Sequence, residues 1–106
     1  MKHIVLNKEE ARARPFMGIH RICFITNVDT KYLRSKLGKP TYSRNDLTVF
    51  DDYDTVWQIK YGPHYFEIAH GRDYDWKVFS LLATNENIIS IVKKLIPKAK
   101  LKDEWW

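Results

Sequence analysis

The sequence has little cysteine and little glycine, and both shortages exclude classes of protein. Cys23 is the only cysteine among 106 residues, so no disulfide can form within the chain. Because Cys23 lies in an apolar run, we expect a buried free thiol and a reducing compartment. The glycines are too scattered to form the glycine-rich loop of a P-loop enzyme, since they stand at Gly18, Gly38, Gly62 and Gly71.

Long apolar runs are also missing. No stretch approaches the roughly 18 consecutive apolar residues that would suggest a membrane-spanning helix. Residues 1–10 contain only a short apolar patch, which acidic residues soon interrupt, so we expect no secretion signal. These observations together predict a cytoplasmic protein.

The composition that is present is that of a globular protein with an excess of aromatic residues. Hydrophobic residues make up 44% of the chain, aromatic residues 14% and charged residues 29%, without the bias of a disordered sequence. A chain of 106 residues can bury one core but not two. We predict one domain over residues 1–106, with an N-terminal arm at 1–17 and a Lys- and Trp-rich tail at 98–106.

Residues 54–80 predict the sheet around which the chain is organised. Two runs rich in β-branched and aromatic residues flank Gly62-Pro63, and a third follows Gly71, which is typical of a three-stranded antiparallel meander. Side chains alternate across a strand, so one face of the first strand should be apolar and the other mixed. The apolar set is Trp57, Ile59 and Tyr61, and the mixed set is Val56, Gln58 and Lys60.

The remaining elements follow from capping and periodicity. Residues 19–26 predict a central strand, residues 28–38 a helix with Asp29 as N-cap and Gly38 past its end, and residues 47–50 a short strand. The arm is expected to be a short strand followed by a loose turn. The last helix has an apolar stripe and ends before Pro97. We predict an α+β fold: an antiparallel sheet of four or five strands, with two helices packed mainly on one face.

The charged residues are unevenly distributed along a chain of net charge +5 and pI near 9.4. Acidic residues cluster in 46–54, and we expect an electrostatically two-sided protein. One basic group comprises Lys31, Arg34, Lys36, Lys39 and Arg44. The second comprises Lys93, Lys94, Lys98, Lys100 and Lys102.

One resemblance rests on the order of three segments, Leu37-Gly-Lys-Pro-Thr-Tyr-Ser43, Trp57-Gln-Ile-Lys-Tyr61 and Tyr65-Phe-Glu-Ile68. This order resembles that of small accessory proteins encoded by bacteriophages, in which a helix ending in Leu-Gly-x-Pro precedes a tryptophan-bearing strand paired with an aromatic strand. Some of those proteins inhibit bacterial defence systems. The resemblance covers roughly the middle half of the chain and carries over no functional residue. It implies a bacterial host and an inhibitory role.

Candidate catalytic residues are few. The imidazoles and carboxylates near the turns of the meander could serve a metal-dependent nuclease, and they are His64, His70, Asp73 and Asp75. They follow no recognised ligand spacing, and turns commonly collect such residues. For nucleophilic catalysis, Cys23 lies in a buried-looking strand, and neither Ser43 nor Ser80 has the context of a nucleophile elbow. We expect no catalytic residue, no metal and no cofactor.

Nucleic-acid or nucleotide binding is an alternative that the basic residues favour. Six cations could contact phosphates, namely Lys31, Arg34, Lys39, Lys93, Lys94 and Lys98. Four tyrosines expected to be exposed could stack on bases, namely Tyr42, Tyr53, Tyr65 and Tyr74. The same lysines could equally be the solvated face and end of a helix, where cations interact favourably with the helix dipole.

Binding to a protein partner is the hypothesis that we favour. Tyr and Arg commonly anchor interfaces, and the candidate contact residues are Arg44, Arg72, Tyr74, Tyr65 and Lys60. The mixed sheet face and the loops near Arg44 and Arg72 would engage the partner, a host protein or protein–nucleic-acid complex. Trp76 is expected to fill the core beneath the last helix. Trp105 and Trp106 could instead serve a homodimer.

Overall fold

The computed structural model describes residues 2–13, 20–43, 53–71, 76–80 and 86–102. Within these ranges the chain forms a single α+β domain with a six-stranded antiparallel sheet. The strands are β1 (Ile4–Val5), β2 (His20–Thr26), β3 (Tyr53–Tyr61), β4 (His64–Gly71), β5 (Trp76–Ser80) and β6 (Lys100–Lys102). The helices are α1 (Lys8–Ala13), α2 (Thr30–Leu37) and α3 (Glu86–Leu95). None of the helices in these ranges is long and apolar enough to cross a membrane.

The strands lie in the order β1-β3-β4-β5-β2-β6. Strands β3, β4 and β5 form the predicted meander, and β2 lies between β5 and β6, with Cys23 opposite Val78 and Ile25 opposite Leu101. The fold class is therefore confirmed, but the sheet has six strands rather than four or five. The strand predicted at residues 47–50 lies outside the described residues.

The turn between β3 and β4 lies at Gly62-Pro63, where the sequence analysis places it. Gly62 and Pro63 form a two-residue loop, and Gly62 has a φ of 59°. A positive φ at the first loop residue and the fixed negative φ of proline at the second match a type II′ hairpin turn. The turn places Tyr61 opposite His64 and Lys60 opposite Tyr65, and so sets the register of the whole hairpin.

One face of the sheet carries the main core, as the alternation predicts. Trp57, Ile59, Phe66 and Ile68 are all fully buried there, and Trp76 joins them with its ring centroid 5.9 Å from that of Trp57. Helices α2 and α3 cover this face, and their buried side chains belong to the same cluster, with Leu33, Leu37, Ile88, Ile91 and Val92. The predictions that two helices pack on this face and that Trp76 fills the core are confirmed.

Both ends of α2 are fixed by the residues that the sequence predicts. The side chain of Asp29 accepts a hydrogen bond of 2.7 Å from the Tyr32 N–H and so caps the first turn. Gly38 ends the helix, with its N–H donating to the Arg34 carbonyl oxygen and a φ of 97°. The Gly38 carbonyl oxygen accepts a hydrogen bond of 3.0 Å from the Trp57 indole N–H, which attaches the helix end to the sheet.

The opposite face of the sheet has a smaller core of its own, so the chain buries apolar side chains on both faces of the sheet rather than in the one core that the sequence analysis predicts. Val56, Ala69 and Phe79 form this second cluster together with Tyr42 and Ala11. Ala11 comes from α1, which forms where the sequence prediction has only a loose turn. A reciprocal pair of hydrogen bonds explains the helix, because Asn7 Oδ1 accepts from the Glu10 N–H while Glu10 Oε1 accepts from the Asn7 N–H.

The tail contributes β6. Residues Lys100–Lys102 pair with β2, and the Thr26 hydroxyl donates to the Lys100 carbonyl oxygen at 3.3 Å. This part of the Lys- and Trp-rich tail is therefore the sixth strand of the sheet, which the sequence analysis does not predict. Trp105 and Trp106 lie outside the described residues.

Candidate binding surfaces

Two of the predicted partner-contacting residues form a row across the sheet. Lys60 lies opposite Tyr65 on β4 and opposite Ile4 on β1, so the three side chains are neighbours on the face that carries the smaller core. The Lys60 ammonium lies 5.7 Å from the centre of the Tyr65 ring. Ile4 is 52% exposed, which is unusual for a large apolar residue at a strand position. We call Ile4, Lys60 and Tyr65 the Lys60 row.

A second surface forms around Tyr32. The Tyr32 hydroxyl accepts a hydrogen bond of 3.0 Å from the Lys98 N–H, and the Lys98 ammonium lies 5.7 Å from the ring centre. The ammonium of Lys36 lies 6.0 Å from the same ring centre. Tyr32 thus joins the two basic groups of the sequence, which are more than sixty residues apart along the chain. We call Tyr32, Lys36 and Lys98 the Tyr32 surface.

The predicted phosphate-contacting residues are all on the outside of the molecule. Exposed side chains are found on α2 and just after it, on the last turn of α3, and in the turn that leads to β6. They are Lys31, Arg34, Lys39, Lys93, Lys94 and Lys98. The structure brings Lys98 to α2 through Tyr32, so charges from both basic groups lie on adjoining parts of the surface.

A cleft lies between the start of the chain and the end of α2. Residues 5–9 form one wall, residues 39–41 and Ser43 form the other, and Arg34 reaches the cleft from α2. Its volume is about 690 Å³. Of the predicted phosphate-contacting residues, the cleft brings Arg34 and Lys39 together and adds Lys8, which the sequence prediction missed.

A buried polar pair lies on the face that carries the smaller core. Gln58 and Glu67 stand opposite each other on β3 and β4, with exposures of 1% and 0%. The Gln58 amide Nε2 donates a hydrogen bond of 2.9 Å to Glu67 Oε1. Burial raises the pKa of the Glu67 carboxyl well above its usual value, and the hydrogen bond from Gln58 lowers it by less. The register of the β3–β4 hairpin places Gln58 opposite Glu67, but the sequence analysis does not identify this pair.

The buried centre of this face corrects one expectation. The mixed face of β3 was expected to contact a partner, but Val56 and Gln58 are each 1% exposed. Only the Lys60 end of this set reaches the surface.

Tyr42 corrects a second expectation. The sequence analysis expects it to be an exposed stacking residue, but it is 6% exposed, because its backbone pairs with Val56 and its ring joins the second cluster.

Several predicted contact residues cannot be placed on these surfaces. Arg44, Arg72 and Tyr74 lie outside the described residues, as do Asp73 and Asp75. The side chain of Tyr53 is also outside the described part, although its backbone opens β3.

The residues considered for catalysis are dispersed. His64 and His70 stand near opposite ends of β4, roughly 20 Å apart at the usual rise of a strand. The His70 ring packs against the Trp76 ring, with the two ring centroids 4.5 Å apart. Within the described ranges, no group of three metal-ligating side chains lies together. Cys23 is 1% exposed in the main core and Ser80 is fully buried, so neither is open to a substrate.

No protein-family model matches the chain, and neither a curated protein nor a solved structure is significantly similar to it.

Proposed function

We propose that the protein is a non-enzymatic binding protein that contacts a protein partner through the Lys60 row. The observation that carries the proposal is the exposure of Ile4 beside Tyr65 and Lys60. An aliphatic side chain and a tyrosine in adjacent positions supply apolar contact area, and the lysine beside them can pair with a carboxylate. The rigid sheet beneath them reduces the ordering cost of binding.

The resemblance to phage accessory proteins supplies the setting of this proposal. The partner is then a host defence complex, and the protein inhibits it by covering a surface that the complex needs. This mode of inhibition requires affinity and shape rather than a reacting group. The Tyr32 surface contributes long-range attraction toward an acidic partner, which raises the association rate more than the final affinity.

A second candidate function, nucleic-acid binding, is favoured by the Tyr32 surface itself. Here Tyr32 joins cations from two distant parts of the sequence into one area that could follow a phosphate backbone. Tyr42 is buried and cannot stack on bases. On the Tyr32 surface, phosphate contact would dominate, and the affinity would fall steeply with salt and depend little on base sequence.

The two candidates use different surfaces, so one capture experiment separates them. The tagged protein is incubated with bacterial lysate, with and without nuclease, and washed at low and moderate ionic strength. Two double variants are compared: Ile4→Ser with Lys60→Glu, and Lys36→Ala with Lys98→Ala. We expect a host protein to be captured after nuclease treatment, to be lost with the first variant and to be retained with the second.

The opposite pattern would support nucleic-acid binding instead. Capture that nuclease abolishes, and that the Lys36 and Lys98 substitutions weaken, contradicts the protein-contact proposal. Thermal unfolding of both variants controls for misfolding.

The inhibitory role has its own test: a strain that carries a defence system should lose protection against phage when it expresses the native chain, and should keep it with the Ile4 and Lys60 variant.

A further inference from the structure

The cleft beside the end of α2 has the dimensions of a small-molecule site. Its volume of about 690 Å³ falls within the roughly 300–1,000 Å³ typical of ligand pockets. The cleft is built from parts of the chain that are distant in sequence, residues 5–9 and residues 39–43, with Arg34 between them. Neither the Lys60 row nor the Tyr32 surface contributes to its lining.

The charges that line the cleft favour an anion. Among the described lining residues, three are cationic, namely Lys8, Arg34 and Lys39, and one is a carboxylate, Glu9. Within the part of the chain that the structure describes, the Arg34 guanidinium and the Lys39 ammonium form no ion pair. An arginine can bind a phosphate through two parallel hydrogen bonds, and a lysine adds a compact positive charge.

The walls of the cleft are joined by hydrogen bonds. The Thr41 hydroxyl donates a hydrogen bond of 2.8 Å to the Leu6 carbonyl oxygen and accepts one of 3.0 Å from the Gln58 N–H. Thr41 therefore ties one wall to the other and both walls to β3. A site whose walls are already fixed loses little conformational entropy when a ligand binds.

The rest of the lining is apolar enough for the organic part of a ligand. Val5, Leu6 and Pro40 contribute to the walls beside the cations. We propose that this cleft binds a small phosphate-bearing ligand of nucleotide size, with Arg34 and Lys39 holding the phosphates. This inference is independent of the proposed protein contact, since it concerns a different surface.

Calorimetric titration of the full chain tests the inference with three probes. ATP carries both phosphates and an organic part, inorganic pyrophosphate carries the phosphates alone, and adenosine carries neither charge nor phosphate. We expect ATP to bind, pyrophosphate to bind more weakly and adenosine not to bind. Binding of pyrophosphate as tightly as ATP would mean that the apolar walls contribute nothing, and would overturn the nucleotide-size assignment.

Substitutions locate the site. Arg34→Ala and Lys39→Ala should each weaken ATP binding about tenfold, the loss expected when one charge-assisted hydrogen bond to phosphate is removed. Lys93→Ala is the matched control, because it removes the same charge from an exposed lysine that does not line the cleft. It should change the affinity less than about twofold, as for a distant surface charge. Amide NMR shifts on ATP addition should concentrate in residues 5–9 and 39–43.

Two results would overturn the inference. The first is the absence of heat and of shifts with ATP and pyrophosphate at millimolar concentration. The second is an equal loss with Lys93→Ala and Arg34→Ala, which would indicate general attraction rather than a site. Neither result affects the capture experiment with the Ile4 and Lys60 variant, so a failure of this inference is distinguishable from a failure of the proposed function.

Discussion

Gln58 and Glu67 share one hydrogen bond across β3 and β4, with the amide Nε2 donating to Oε1 at 2.9 Å. The remaining polar atom of each side chain, Gln58 Oε1 and Glu67 Oε2, has no hydrogen-bond partner among the described residues. When Glu67 is ionised, both of these buried oxygens are acceptors only. Glu67 is fully buried, and burying a charged carboxylate costs more free energy than burying a neutral carboxyl, so the neutral form suits the site better.

The pH dependence of stability should reflect this pair. Because the pKa of Glu67 is raised in the folded chain, the folded state keeps a proton that the unfolded state releases. The contribution of Glu67 to the free energy of unfolding should therefore be greatest below the ordinary Glu pKa and should fall as the pH rises toward the folded pKa. Urea unfolding at a series of pH values measures this slope.

The variant Glu67→Gln isolates the contribution of this carboxyl. It keeps the shape but has no proton to lose, so the slope assigned to Glu67 should disappear and the variant should equal or exceed the native chain in stability at neutral pH. Glu9→Gln, at an exposed position, should keep the native slope. If the free energy of unfolding of Glu67→Gln has the same pH slope as that of the native chain, then ionising Glu67 in the folded protein costs little free energy.

Gly38→Ala should destabilise the chain through its backbone. Gly38 has φ 97° and ψ −160°, a region that is essentially restricted to glycine. A Cβ there would meet no atom within 4 Å, so crowding is not the cause. We expect a loss of about 1–3 kcal/mol in chemical unfolding. Lys39→Ala, at the next and exposed position, should change stability by less than about 0.5 kcal/mol.

Asp29→Ala should weaken α2 by removing its N-cap. The substitution leaves the Tyr32 N–H without the acceptor that now lies 2.7 Å away. We expect a loss of about 1 kcal/mol, measured by thermal or chemical unfolding. Asp29→Asn keeps an oxygen in the same place and should cost much less. Equal losses in both variants would mean that the charge of Asp29 matters more than the capping hydrogen bond.

Tyr32→Phe should loosen the connection between α2 and the turn that follows α3. It removes the hydroxyl that accepts from the Lys98 N–H, while the ring and its lysine contacts remain. We expect a loss of about 0.5–1 kcal/mol and faster amide hydrogen exchange at Lys98. Tyr61→Phe is the control: it removes a tyrosine hydroxyl from β3 and should leave the exchange rate at Lys98 unchanged. Unchanged exchange at Lys98 in Tyr32→Phe would contradict the role given to this hydroxyl.

The local elements could be predicted because their signals are local. Asp29 and Gly38 bound α2 through contacts within one helical turn, and Gly62-Pro63 sets the register of β3 and β4 by turn geometry alone. The same register contains the Gln58–Glu67 pair and the Lys60–Tyr65 pair. Alternation also separates the two faces of β3 correctly.

The surfaces could not be predicted in the same way because they depend on distant contacts. Alternation assigns Val56 and Gln58 to a face, but it does not indicate that the face is covered. Tyr32 and Lys98 meet although they are 66 residues apart along the chain, and β6 is three residues without a hydrophobic pattern of its own. The cleft likewise requires residues 5–9 to pack beside the end of α2, which no local signal predicts.

The position of β2 has a consequence for folding kinetics. Its two neighbours in the sheet are residues 76–80 and 100–102, so it pairs only with chain segments that lie more than fifty residues away. Strands β3, β4 and β5 can associate through short loops, whereas β2 must close two long ones, and closing long loops slows folding. We therefore infer that the insertion of β2 is a late event, and that the rate of folding is set by the arrival of this one strand rather than by formation of the hairpins.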